Sequence, residues 1–185
     1  MTTRITVFGG SLPKPGDPAY IEAFQLGQML GSAGYTVLTG GYIGTMEAVS
    51  RGAAEAGGHV IGVTCNEIEA WRAVKPNAWV HEEMRYATIH QRLLALIENC
   101  DAALALPGGI GTLTEVSLMW NQLVINAIAP RPLIAIGPGW QATFEQFFNS
   151  LPSYIPLTQR RWLTLAPGIN SAFQQLQEML SSGKV

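Results

Sequence analysis

The sequence predicts an α/β protein built on a doubly wound parallel sheet of about six to seven strands. Three observations predict it. Short apolar runs rich in Val, Ile and Leu recur along the chain, as expected of strands covered on both faces. Longer stretches with helical spacing separate them, and strict β-α alternation favours a parallel sheet. Three of the turns that follow strands are rich in glycine. The 185 residues suit one domain, residues 1–185, with a substantial core.

Strands are expected at residues 4–8, 35–39, 59–64, 101–106, 132–136 and 162–165. Helices are expected at 20–33, 44–56, 88–99, 112–127, 140–149 and 169–180. In the first helix Ile21, Phe24, Leu26, Met29 and Leu30 recur on one face. Gly34, Gly57 and Gly58 sit where a helix end favours a left-handed residue. Residues 67–85, with Trp71, Pro76 and Trp79, break every simple period. They are too apolar for a linker and read either as a cover over a site or interface, or as a surface loop with tucked-in tryptophans.

Composition removes several classes of function. Charged residues make up 13% of the chain, roughly half of the usual ~25%. A net charge of −2 and scattered basic residues give no footprint for nucleic acid. No apolar run approaches the ~20 residues that span a bilayer, so no membrane partner is expected. Met1-Thr2-Thr3 leads directly into an expected strand, so no signal peptide is expected and a cytoplasmic location is. Cys65 and Cys100 read as buried thiols. His59, His81 and His90 are too dispersed for a metal cluster, and neither metal nor cofactor is expected. Low charge together with five tryptophans favours a homodimer, with Trp120 on helix 112–127 as a candidate anchor.

In an open parallel sheet, ligands bind beyond the carboxyl ends of the strands. The three glycine-rich turns fall there: Gly9-Gly10-Ser11, then Gly40-Gly41-Tyr42-Ile43-Gly44-Thr45-Met46, then Pro107-Gly108-Gly109-Ile110-Gly111-Thr112. Each can bring bare backbone N–H groups to an anion at a helix start. Neither the G-x-G-x-x-G fingerprint nor the P-loop pattern is present, so the pattern suggests a mononucleotide or another small phosphoester. The last turn continues Leu113-Thr114-Glu115. Thr112 and Glu115 fit a capping box, which needs no ligand. Alternatively, Glu115 is a carboxylate beside the phosphate loop, able to bind ribose hydroxyls, orient water or stabilise an oxocarbenium-like transition state.

The stretch from Pro107 to Glu115 resembles the PGGxGTxxE signature of the "lonely guy" phosphoribohydrolases, which release a cytokinin base from its nucleoside 5′-monophosphate. Many relatives carry the older label lysine decarboxylase-like. The likeness extends, in order, over roughly residues 5–139. Val7 to Ser11 resembles the family's first turn, and Gly40 to Met46 its GGxxGxM turn. Ile89-His90-Gln91-Arg92 resembles its Met-His-x-Arg segment, and Trp120-Asn121-Gln122-Leu123 its WxQL helix. The resemblance implies a modified Rossmann fold, a homodimer and an AMP-like ligand. It makes Arg92 and Glu115 the catalytic pair. It makes Gly108, Gly109, Gly111 and Thr112 the 5′-phosphate loop, with Ser11 and Gly41 to Gly44 lining the pocket. The sequence departs from the family at Glu47, Leu93 and Thr114, and reaches its WxQL segment about two residues early, a turn of roughly 200° about the helix axis.

Two other uses compete with hydrolysis. The fold also serves as a nucleotide-binding module or molybdenum-cofactor carrier. A pyridoxal-phosphate decarboxylase would need a Schiff-base lysine in the pocket. Lys14, Lys75 and Lys184 are the lysines available, and none follows a convincing cofactor motif.

Overall fold

The computed structural model describes residues 2–182; Met1 and Lys184 lie outside the described residues. Its strands are β1 (Arg4–Phe8), β2 (Thr36–Thr39), β3 (Val60–Cys65), β4 (Glu82–Tyr86), β5 (Ala102–Ala105), β6 (Leu133–Ile136) and β7 (Thr164–Ala166). They form a seven-stranded sheet in the order β4-β3-β2-β1-β5-β6-β7, parallel throughout. The helices are α1 (Pro18–Ser32), α2 (Thr45–Glu55), α3 (Asn66–Trp71), α4 (Ile89–Glu98), α5 (Ile110–Val124), α6 (Pro138–Ser150), α7 (Leu157–Arg160) and α8 (Ile169–Ser182).

Alternation along the central strands sorts the core into two layers. Ile5 and Val7 face one side and pack with apolar residues of α1, α2 and α8. Phe8 faces the other side, in the layer formed with α4, α5 and α6. Thr6 points the same way, and its buried hydroxyl donates to the carbonyl of Leu96 at 2.7 Å. On the first face, α1 and α2 approach almost backbone to backbone. A Cβ at Gly27 would overlap the Val49 carbonyl, and one at Gly52 the Phe24 carbonyl.

All six expected strands and all six expected helices are present, with ends shifted by a few residues. The sequence reading missed β4, α3 and α7. β4 reads Glu82-Glu83-Met84-Arg85-Tyr86, mostly exposed. An edge strand needs one neighbour only and tolerates charge on its open side, so it shows none of the apolar run that marks a central strand. α3 and β4 take up the two ends of the irregular stretch 67–85.

Two further expectations are corrected. The Thr112–Glu115 capping box is not formed, because α5 begins earlier, with Gly109 as its N-cap. Thr112 is then the third helical residue and Glu115 the sixth. The capping box belongs instead to α4. There Thr88 accepts from Gln91 N–H, while the Gln91 side chain accepts from Thr88 N–H. Trp120 is not a surface anchor. It is buried, its indole N–H donates to Gln159 O at 2.8 Å, and it packs edge-on against Phe144 and Phe148.

The strand order sets the position of the site. The chain runs outward from β1 to β4, and α4 then carries it back across the sheet to β5, on the other side of β1. The crevice between the carboxyl ends of β1 and β5 is the switch point at which open α/β sheets bind ligands.

Candidate active site

Contacts between backbones hold the three glycine-rich turns together. Thr45, at the start of α2, donates both its N–H and its hydroxyl to Gly10 O, at 2.9 and 3.0 Å. A Cβ on Gly10 would lie 3.3 Å from Gly108 Cα. Gly44 has φ +78°, a conformation that L side chains rarely adopt, and it packs against Gly10 O and Ser11. Gly41 and Gly44 are buried. Gly41 gives its N–H to Thr39 and its carbonyl to Asn77, so it shapes the turn and has no free donor to offer.

The third turn is open. Gly108, Gly109, Ile110 and Gly111 are exposed, and Thr112 is buried. Leu113 N–H makes the first bond of α5, to Gly109 O at 3.0 Å. The N–H groups of Ile110, Gly111 and Thr112 therefore have no acceptor within the helix, an arrangement suited to an anion. Gly109 has φ −92°, so it is not held by positive φ. A Cβ there meets nothing within 4 Å.

Behind this helix end lies a buried ion pair. Arg92 and Glu115 are 5% and 7% exposed. α4 delivers the guanidinium and α5 the carboxylate, with Nη1 and Oε1 3.6 Å apart, too long for a hydrogen bond. Arg92 is fixed by other groups. Its Nε donates to Val63 O at 2.8 Å and its Nη2 to Gly40 O at 3.3 Å. The Met46 thioether lies 4.0 Å from Nη2, and the Tyr42 ring 5.8 Å from the guanidinium carbon. The Glu115 carboxylate receives no hydrogen bond among the described residues. Burial pushes its pKa up to about 7, against the opposing pull of Arg92.

Gly40 escaped the sequence reading as a site residue. A Cβ at that position would overlap Arg92 Nη2, so the guanidinium occupies the space a side chain would take. The signal was present as the first of two consecutive glycines, but it does not say which neighbour needs the room. The sequence reading also missed the brace beneath Tyr42. The Tyr42 hydroxyl accepts from Cys65 N–H at 2.9 Å and lies 3.3 Å from Glu69. Glu69 in turn pairs with Arg85 at 2.6 Å. No group of three or more His, Cys, Asp or Glu among the described residues is placed to hold a metal ion.

Fold and site together define a Rossmann-like protein with an anion-receptive helix start in front of a buried Arg–Glu pair. The chain belongs to the SLOG cluster4 family, whose model matches residues 2–137. It is 39% identical over 184 residues to a probable cytokinin riboside 5′-monophosphate phosphoribohydrolase of Oryza sativa subsp. japonica, covering 95% of this chain and 72% of that protein. A cytokinin riboside 5′-monophosphate phosphoribohydrolase of Arabidopsis thaliana is 32% identical, covering 95% of this chain and 81% of that one. Among solved structures, the molybdenum cofactor binding protein of Rippkaea orientalis superposes with a TM-score of 0.76 at 23% identity. That match covers 97% of this chain and 98% of that one, and a likeness of this degree establishes the fold alone.

The raised pKa has a consequence for stability. In the folded state the Glu115 carboxyl holds its proton up to about pH 7, against an ordinary value of 4.5. Its contribution to stability is therefore full below about 4.5 and is lost as pH rises through 7. The loss is about 3 kcal/mol by linkage. Glu115→Gln lacks this dependence. Urea unfolding at about pH 4 and pH 8 is expected to show the variant gaining on the wild type by that amount at the higher pH. Parallel stability curves would contradict the burial of an ionisable Glu115.

Proposed function

We propose that the protein is a nucleoside 5′-monophosphate phosphoribohydrolase, acting with water on an AMP-like or cytokinin nucleotide to give the free base and ribose 5-phosphate. The observation that carries this reading is the buried Arg92–Glu115 pair directly behind the open start of α5. Identity of 39% to a probable phosphoribohydrolase supports it.

In this reading the N–H groups of Gly109 to Thr112 and the Thr112 hydroxyl hold the 5′-phosphate, with Gly108 and Ser11 beside them. The sugar then lies over α5, where Arg92 orients it and Glu115 meets it. As the C1′–N bond breaks, its electrons leave with the base and positive charge develops on the ribose. The Glu115 carboxylate stabilises that charge. Water adds at C1′ and gives up a proton, and the departing base takes a proton in exchange. A carboxyl with a pKa of about 7 is half-ionised at neutrality, which suits a group that accepts a proton from water. A carrier would also use the anion-binding helix end, but it would gain nothing from a carboxylate raised to that pKa opposite a guanidinium.

The same reading includes a homodimer and a cytoplasmic location. Low charge and the exposed Ile110 and Ile125 at the two ends of α5 support self-association, although Trp120 is used inside the chain. No helix among the described residues is long and apolar enough to cross a membrane. Sedimentation at micromolar concentration is expected to give a dimer; a monomer would refute the assembly.

Hydrolysis is tested by measuring turnover of AMP alongside AMP binding in the wild type and in Glu115→Gln. The substitution keeps the volume and removes the charge. Turnover is expected to fall about 10²-fold or more, the scale of losing one electrostatic stabiliser, with little change in affinity. Tight binding without turnover in the wild type would favour the carrier.

A further inference from the structure

We propose that Arg72 is the side-chain counter-charge for the substrate's phosphate, delivered by the segment between β3 and β4. This rests on the phosphoribohydrolase reading and adds to it a specificity-determining residue that the signature motifs do not contain.

The phosphate loop carries no charge of its own. Its donors are backbone amides and the Thr112 hydroxyl, and the Arg92 guanidinium is committed to Val63 O, Gly40 O and Glu115. Arg72 follows the last residue of α3, and its N–H closes that helix on Ile68 O at 2.8 Å. Its Nη1 donates to Ser11 Oγ at 3.2 Å, on the first glycine-rich turn, one residue after the Gly10 that touches Gly108. Its guanidinium carbon lies over the Trp71 ring, 4.7 Å from the ring centre, and Trp71 is itself 75% exposed.

Among the other arginines whose side chains pair with no carboxylate, Arg4 opens β1 at the end of the strand opposite the turns, and the rest have different tasks. Arg131 donates to Ile97 O, Glu98 O and Cys100 O. Arg160 donates to Ile155 O and Phe148 O, and Arg161 stacks on Trp162. Arg72 pairs with no carboxylate among the described residues, and its one side-chain hydrogen bond is to Ser11. A hydroxyl leaves most of a guanidinium's five donors unused. Lys14 and Lys75 are exposed, and neither forms a side-chain hydrogen bond or ion pair among the described residues. Holding either on a ligand would cost its full rotamer entropy.

The placement of Arg72 is built rather than incidental. Glu67 of α3 accepts from Ile89 N–H at the start of α4, at 2.7 Å. Glu69 pairs with Arg85 of β4 and meets the Tyr42 hydroxyl. Three anchors therefore fix the helix that presents Arg72 to Ser11. The fork is held on an aromatic face with donors free, a geometry suited to phosphate oxygens.

The test is binding of AMP, ribose 5-phosphate and adenosine to the wild type, Arg72→Gln and Arg72→Lys. Arg72→Gln is expected to weaken AMP and ribose 5-phosphate by the same factor, roughly 10- to 100-fold, and to leave adenosine unchanged. Arg72→Lys is expected to recover part of the loss, and KM is expected to rise in Arg72→Gln with kcat little altered. Equal weakening of AMP and adenosine, with ribose 5-phosphate untouched, would place Arg72 on the base and overturn the assignment. Wild-type affinities retained in Arg72→Gln would overturn it as well, while leaving the hydrolase reading standing. A wild type that binds neither phosphate compound would overturn both.

Discussion

The arrangement at the carboxyl edge of the sheet depends on holding a guanidinium and a carboxylate together out of water. Taking two charges out of solvent costs several kcal/mol per ion unless each is compensated. Arg92 is compensated by two carbonyls and an ion pair, with a thioether and an aromatic face at longer range. Glu115 has only the guanidinium, at 3.6 Å. The imbalance explains why its proton is held so tightly. It also leaves the carboxylate with acceptor capacity that no hydrogen bond among the described residues uses.

Much of the surrounding fold follows from that requirement. Gly40 must lack a side chain because the guanidinium fills its place. Val63, within β3, must present its carbonyl to the guanidinium, and α4 must cross from the sheet edge to β5 to bring Arg92 there. The Thr88–Gln91 capping box fixes the start of that helix, and Glu67 caps it from α3. The apparently irregular segment 67–85 is thus a brace between the strands and α4. Its charged edge strand holds the brace through Arg85 and Glu83, and Glu83 also accepts from Thr64 Oγ1 at 2.5 Å.

Central strands and amphipathic helices were legible because burial on two faces or one leaves a period in the sequence. β4 was not legible, since an edge strand bearing Glu82, Glu83 and Arg85 carries no such period. The three glycine turns were legible as a group, and backbone contacts from Gly10 to both Gly44 and Gly108 bring them together. Their individual roles were not. Gly41 spends its amide inside the turn, and Gly109 needs no positive φ. The Thr112–Glu115 spacing matched a cap that the helix does not use, because the chain enters the helical conformation at Ile110. Trp120 was misread because an aromatic residue on a helix looks the same whether its partner is a second subunit or, as here, Phe144 and Phe148 of α6.

If Arg92 and Glu115 act as one unit, removing either should remove most of what the pair supplies. A double-mutant cycle on kcat/KM for AMP, with Arg92→Ala, Glu115→Ala and the double variant, tests this most directly. The expected result is strong non-additivity, with the double variant no slower than the slower single. Losses that multiply independently would contradict a shared catalytic unit and reduce the ion pair to two separate structural contacts.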